Sequence, residues 1–80
     1  MKLEELKKYI AMGREIEFSY QEEQYSITYA FEGNLQVISF CQFNQACVDY
    51  HNMDELLSSA MIGETYLRDM IHLAEDVVVY

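Results

Sequence analysis

The spacing of apolar residues changes abruptly at Gly13, and this change limits the chain more than any other feature. Before it, Leu3, Leu6 and Ile10 fall on one face at a helical period. After it, Ile16, Phe18 and Tyr20 alternate with Glu15, Glu17 and Ser19, and Tyr25, Ile27, Tyr29 and Phe31 alternate with Ser26, Thr28 and Ala30. A period of two is that of a half-buried strand, whose successive side chains point to opposite faces. The pattern predicts a helix over 2–12, ended by Gly13 as its C′ residue, and then two strands over 14–20 and 25–31. Gln21-Glu22-Glu23-Gln24 is a polar hairpin connection without the Asn-Gly signature of a tight turn. Glu32-Gly33-Asn34 is a second turn.

Further along, Leu35, Val37, Ile38 and Phe40 predict a third strand over 35–41 that is apolar on both faces. Residues 46–50 predict a short fourth strand carrying Ala46, Val48 and Tyr50 on one side. Asn52 or Asp54 caps a helix with its interior at 55–61, which Gly63 breaks. Glu64 and Thr65 then open a last helix with Leu67, Met70, Ile71 and Ala74 as its stripe. Val77–Tyr80 is β-branched and extended. The expected architecture is a single α+β domain over residues 1–80. It has an N-terminal helix, a three- to four-stranded antiparallel meander, two C-terminal helices and a short extended C-terminus.

Charge is the chemical property that bears on function. The net charge is −9, from fourteen acidic and five basic residues among 80. It is unevenly placed: Lys2, Lys7, Lys8 and Arg14 outweigh Glu4 and Glu5 at the start, whereas Arg68 alone offsets the acids after residue 14. Such a surface repels nucleic acid and anionic membranes and attracts basic partners. The start of the chain lacks the apolar core of a signal peptide, and no apolar run approaches a membrane span. The expected location is therefore cytoplasmic. A reducing compartment disfavours disulfides, so Cys41 and Cys47 are expected as free thiols.

No catalytic, cofactor or metal site is assigned. Cys41, Cys47 and His51 space as C-x5-C-x3-H, without the tight knuckle and second pair of a structural zinc site. Cys47, His51 and Asp54 lie close in sequence but carry no nucleophile signature, and three isolated glycines make no phosphate loop. The carboxylates are more informative. Glu15 and Glu17 share a strand face, with Glu22 and Glu23 at the adjoining turn, Glu32 at the next one and Asp49 on the fourth strand. Side chains on one strand face repeat at roughly 6.6–7 Å, close to the phosphate spacing along a nucleic-acid strand. Tyr9, Tyr50, Tyr66 and Tyr80 are too many to be all core in so small a domain, and Tyr beside carboxylates suits an Arg-rich partner.

Gly13-Arg14-Glu15-Ile16-Glu17-Phe18-Ser19-Tyr20, Tyr25-Ser26-Ile27-Thr28 and Met53-Asp54-Glu55-Leu56-Leu57 resemble segments of short uncharacterised proteins of Gram-positive bacteria and their phages and prophages. The likeness covers most of the chain and implies the element order above and a cytosolic setting. In size and charge the chain is also similar to small anti-CRISPR proteins, a likeness of class that transfers no residue. Together these readings suggest a non-catalytic inhibitor that docks on a basic nucleic-acid-binding protein, such as a Cas nuclease, and competes with DNA or RNA. Its contacts would be Glu15, Glu17, Glu22, Glu23, Glu32 and Asp49. The alternative is an accessory domain that works through an apolar patch or as a homodimer, its acidity serving solubility.

Overall fold

The computed structural model describes residues 1–80. Helix α1 spans Leu3–Ala11, with Glu5 accepting a hydrogen bond from the Lys2 amide at its start. It exits through Gly13 at φ 70°. There the Arg14 amide reaches the Tyr9 carbonyl and the Gly13 amide reaches Ile10, both at 3.0 Å. This crossed pair is a Schellman exit, and the left-handed residue it needs is a glycine, which has no Cβ to clash.

Strands β1 (Ile16–Tyr20), β2 (Glu23–Glu32), β3 (Leu35–Gln42) and β4 (Val48–Tyr50) form an antiparallel meander. Gln21 and Glu22 both take positive φ, at 50° and 67°, so the β1–β2 connection is a two-residue turn of type I′ made without glycine. Between β2 and β3 only Gly33 is left-handed, at φ 62°, which fits type II′.

Helix α2 spans Met53–Ser59, and Asn52 is its cap: the Asn52 side chain accepts the Glu55 amide at 2.8 Å. The chain then departs from expectation. In place of a long last helix there is a small hairpin, β5 (Met61–Ile62) and β6 (Thr65–Tyr66), turned by Gly63 at φ 60°. It is followed by the four-residue helix α3 (Leu67–Met70) and a 3₁₀ turn over Ile71–Leu73. Leu67, Met70 and Ile71 are buried as the stripe required, but one α turn followed by a 3₁₀ turn is enough to present them. Ala74 is already extended, at the threshold of β7 (Glu75–Val79).

Strand β7 adds antiparallel to β1 on the side away from β2, giving the order β4-β3-β2-β1-β7. The sheet thus has five strands, one more than the meander alone. The register slips between Glu17 and Ser19, where Asp76 takes φ 51°. Arg14 Nε bonds the Tyr80 carbonyl and the Tyr80 amide bonds Glu15, which ties the end of β7 down.

The helices cover one face of this sheet. Ile16, Phe18, Tyr25, Ile27, Ile38, Phe40 and Tyr50 meet Leu6, Ile10, Leu56, Leu57, Leu67, Met70 and Ile71 in a single cluster. Phe18, Tyr25 and Phe40 stack across three strands with ring centroids 5.5–6.5 Å apart. Tyr50 is therefore core, while Tyr80 stays exposed. Phe31, expected in the packed face, lies past the reach of the helices and is 71% exposed.

Candidate interaction face and the disulfide beside it

The opposite face of the sheet carries no helix. Strand alternation and register place Glu17, Ser19, Ser26, Thr28, Ala30, Val37, Ser39, Cys41, Asp49 and Val78 on it. Most are small or hydroxylic, so the face is shallow. Ser26, Val37 and Ser39 are nonetheless buried, Val37 to 1% exposure, and Ser26 and Ser39 are each flanked by a strand on either side. The polar groups are held in place: Ser39 Oγ donates to Asp49 Oδ1 at 2.6 Å, and Tyr80 Oη donates to Glu17 Oε1 at 2.7 Å. The carboxylate at Tyr80 favours the protonated phenol, whose pKa is raised first by that hydrogen bond.

The six acids singled out by sequence do not form one cluster. Glu17 and Asp49 project from this face. Glu15 enters it just before β1, and Glu32 shares its parity at the far end of β2. Glu22 sits in the β1–β2 turn. Glu23 belongs to the other face, opposite Tyr20, where its carboxylate accepts from Gln42 Nε2 at 3.2 Å. Glu22 and Glu32 lie at the two ends of β2, roughly 30 Å of extended chain apart. The arrangement is a broad acidic margin around a hydroxyl-rich centre.

Two acids belong to this margin that sequence reasoning passed over. Glu75 and Asp76 lie on β7, brought by its pairing with β1 against Ser19, Tyr20, Glu22 and Gln24 in a groove at the end of the β1–β2 hairpin. The Val77–Val79 run marked a strand, but its partner lies some sixty residues away and no local pattern names it.

Few of these charges are compensated. The ion pairs of the chain are His51–Glu55 at 2.9 Å and the loose Arg68–Asp69 contact at 3.9 Å. The two arginines are spent elsewhere: Arg14 on the Tyr80 carbonyl, Arg68 on the Leu57 carbonyl and the Tyr66 ring. Glu55 is the one acid whose pKa is clearly lowered. The His51 amide donates to its carboxylate, and the His51 ring adds a second contact.

Cys41 and Cys47 are not free thiols; they form a disulfide, with Cα atoms 4.3 Å apart. Geometry explains the pairing. The β3–β4 ladder runs Ile38 with Tyr50, Ser39 with Asp49 and Phe40 with Val48, and the next rung would place Cys41 opposite Cys47. Directly opposed residues at this separation match the close, non-hydrogen-bonded rung of an antiparallel pair. Compartment reasoning missed this because it weighed the setting and not the rung. The pairing removes both thiolates from the Cys41/Cys47/His51 set and the nucleophile from the Cys47/His51/Asp54 set. His51 Nδ1 is meanwhile taken by Glu55.

A second hollow, of about 480 Å³, opens between the end of α1 and the start of α2, lined by Ile10, Met12, Tyr29, Ile38, His51 and Met53 among others. Of its polar groups, Tyr29 Oη donates to the Arg14 carbonyl at 2.8 Å, His51 Nδ1 meets Glu55 and Asn52 Oδ1 caps α2. No helix is long and apolar enough to cross a membrane. The fold and this face describe a small α+β domain with one uncovered acidic sheet face. The chain matches no protein-family model, no curated protein and no solved structure.

Proposed function

We propose that the protein is a non-catalytic interaction module whose uncovered sheet face docks on a basic, nucleic-acid-handling protein and competes there with DNA or RNA. The observation that carries this reading is the uncompensated margin: Glu15, Glu17, Glu32, Asp49 and Asp76 ring the face, and none is in an ion pair. A cationic groove would meet carboxylates at strand spacing, with exposed Tyr80 and Val78 supplying apolar contact. A Cas nuclease is one partner of this class, and an origin among small acidic phage or prophage inhibitors is part of the proposal. The setting proposed is cytoplasmic, where the Cys41–Cys47 bond would be exposed to reducing thiols.

The test is a titration against purified basic nucleic-acid-binding proteins, Cas nucleases among them, at rising salt and with competing DNA. Binding is expected to weaken steeply with salt and to be mutually exclusive with DNA. Reversing two acids of the face, Glu17→Lys with Glu32→Lys, is expected to weaken binding by about tenfold or more without unfolding the domain. Salt-insensitive binding, or a complex in which the partner keeps its DNA, overturns the proposal.

One observation favours a second reading. Phe31 and Leu35 are 71% and 68% exposed at the tip of the β2–β3 hairpin, one on each face of the ribbon, so the tip offers apolar contact for self-association. A tight dimer that persists at high salt and is lost in Phe31→Ser would support an accessory domain acting through that tip.

A further inference from the structure

We infer that the Cys41–Cys47 disulfide is a thiol-exchange site whose reduction releases edge strand β4 while the rest of the domain stays folded. The inference rests on the disulfide and on the construction of the edge, and stands apart from the acidic interface.

Three observations carry it. First, the bond is within reach of solvent: Cys47 is exposed and Cys41 half-buried, on the face that no helix covers. Exposure at Cys47 sets the side from which an incoming thiolate would approach. Second, β4 is weakly held. It has three residues and three rungs with β3, it lies at the end of the sheet, and Val48 and Asp49 are both exposed. Only Tyr50 reaches the core, and the Ser39–Asp49 hydrogen bond is the remaining side-chain tie to β3. A short edge strand with one buried side chain belongs to the low end of local stability. Third, neither sulfur belongs to the hydrophobic cluster, which the helices close on the other side. Loss of the bond therefore removes a constraint on the segment 43–49 and leaves the core packing in place.

The chemistry needs a dithiol reductant. Its thiolate attacks the Cys47 sulfur, the Cys41–Cys47 bond breaks and Cys41 leaves as thiolate. The reductant's second thiol then displaces Cys47 from the mixed disulfide. Two electrons and two protons pass from the reductant to the cysteine pair, and the reductant ends as its own disulfide. Reoxidation by a small-molecule disulfide runs the same steps backwards. The released segment frees the outer edge of β3 at Ile38–Phe40, a row of backbone groups open to another strand.

The experiment uses the intact, air-oxidised protein, dithiothreitol as reductant and no denaturant. Alkylation and mass spectrometry count thiols, and hydrogen exchange follows the amides. The expected result is two alkylatable thiols after reduction and about tenfold faster exchange at the Val48 and Tyr50 amides, which the rung alternation turns towards β3. Amides of β2 around Ile27 should be unchanged, and protection should return on adding oxidised glutathione. The Cys41→Ser/Cys47→Ser variant should show the fast pattern with or without reductant. The inference is overturned if the air-oxidised chain carries two free thiols, if the bond yields only after denaturation, or if the Val48 and Tyr50 amides keep their protection once reduced. Loss of protection across the whole sheet also overturns it, since the bond would then staple the entire domain.

Discussion

At the scale of single residues, Glu55 gathers three contacts in one residue. Its amide is capped by Asn52, and its carboxylate accepts both the amide and the ring of His51. These bonds need the charged form, and they pull its pKa below the ordinary 4.5. A carboxyl whose folded pKa is depressed adds stability that is fully present above its unfolded value and is lost as pH falls through the folded one. Wild type should therefore unfold at a higher temperature than Glu55→Gln near neutral pH, with the gap closing as pH is lowered from about the ordinary value through the depressed one. Melting curves of both chains across that window check this; a gap that is constant with pH would place the stabilisation in the hydrogen-bond geometry and not in the charge. The Asn52 cap was legible because capping residues announce themselves just before a helical stripe. The His51 contribution was not, since one residue upstream of the cap nothing in the sequence signals which side chain folds back.

Among the elements, the β1–β2 hairpin is held at a local cost. Gln21 and Glu22 both occupy the left-handed region, where a Cβ crowds the following carbonyl and each residue costs roughly 1–2 kcal/mol. The flanking strands impose it, since only a primed turn matches their twist over a two-residue connection. Gln21→Asn with Glu22→Gly, the pair such a turn prefers, should stabilise the domain by about 1 kcal/mol and raise Tm by roughly 4–8 °C. A thermal melt reads this, and an unchanged Tm would contradict the type I′ assignment. The alternation over 16–20 and 25–31 foretold the two strands; the missing Asn-Gly concealed the turn between them. The last helix failed for a related reason. Leu67, Met70 and Ile71 carry helical spacing, but so short a stripe is satisfied by four α-helical residues and a 3₁₀ turn. Gly63 makes a hairpin turn just before it, and β7 claims the chain just after. Short elements are decided by what they pack against, and that is long-range information.

For the molecule as a whole, the sheet divides a closed apolar side from an open acidic one, and half of that division was readable. Period two told which residues of β1 and β2 share a face, and so that Glu17 parts from Phe18 and Ile16; β3, apolar on both faces, gave no such division. It could not tell that β7 would carry Glu75 and Asp76 to the same margin, or that Cys41 and Cys47 would meet, because both depend on strands pairing across the chain. The consequence for charge is physical. With fourteen acids, five bases and two ion pairs, the folded state concentrates like charges within 35 × 26 × 23 Å. At 0.01 M salt the screening length is about 30 Å, so every carboxylate feels the others; at 0.1 M it is about 10 Å and only neighbours interact. The domain should therefore gain stability, read as a rising Tm, as sodium chloride increases over that range. Binding to a basic partner should move the opposite way, since the same ions screen attraction across the interface. Glu17→Lys with Glu32→Lys separates the two effects: relieving self-repulsion, it should melt at a higher temperature than wild type at low salt while binding the partner more weakly. If it melts higher and binds no worse, the acids act only on solubility and self-repulsion, and the docking face lies elsewhere.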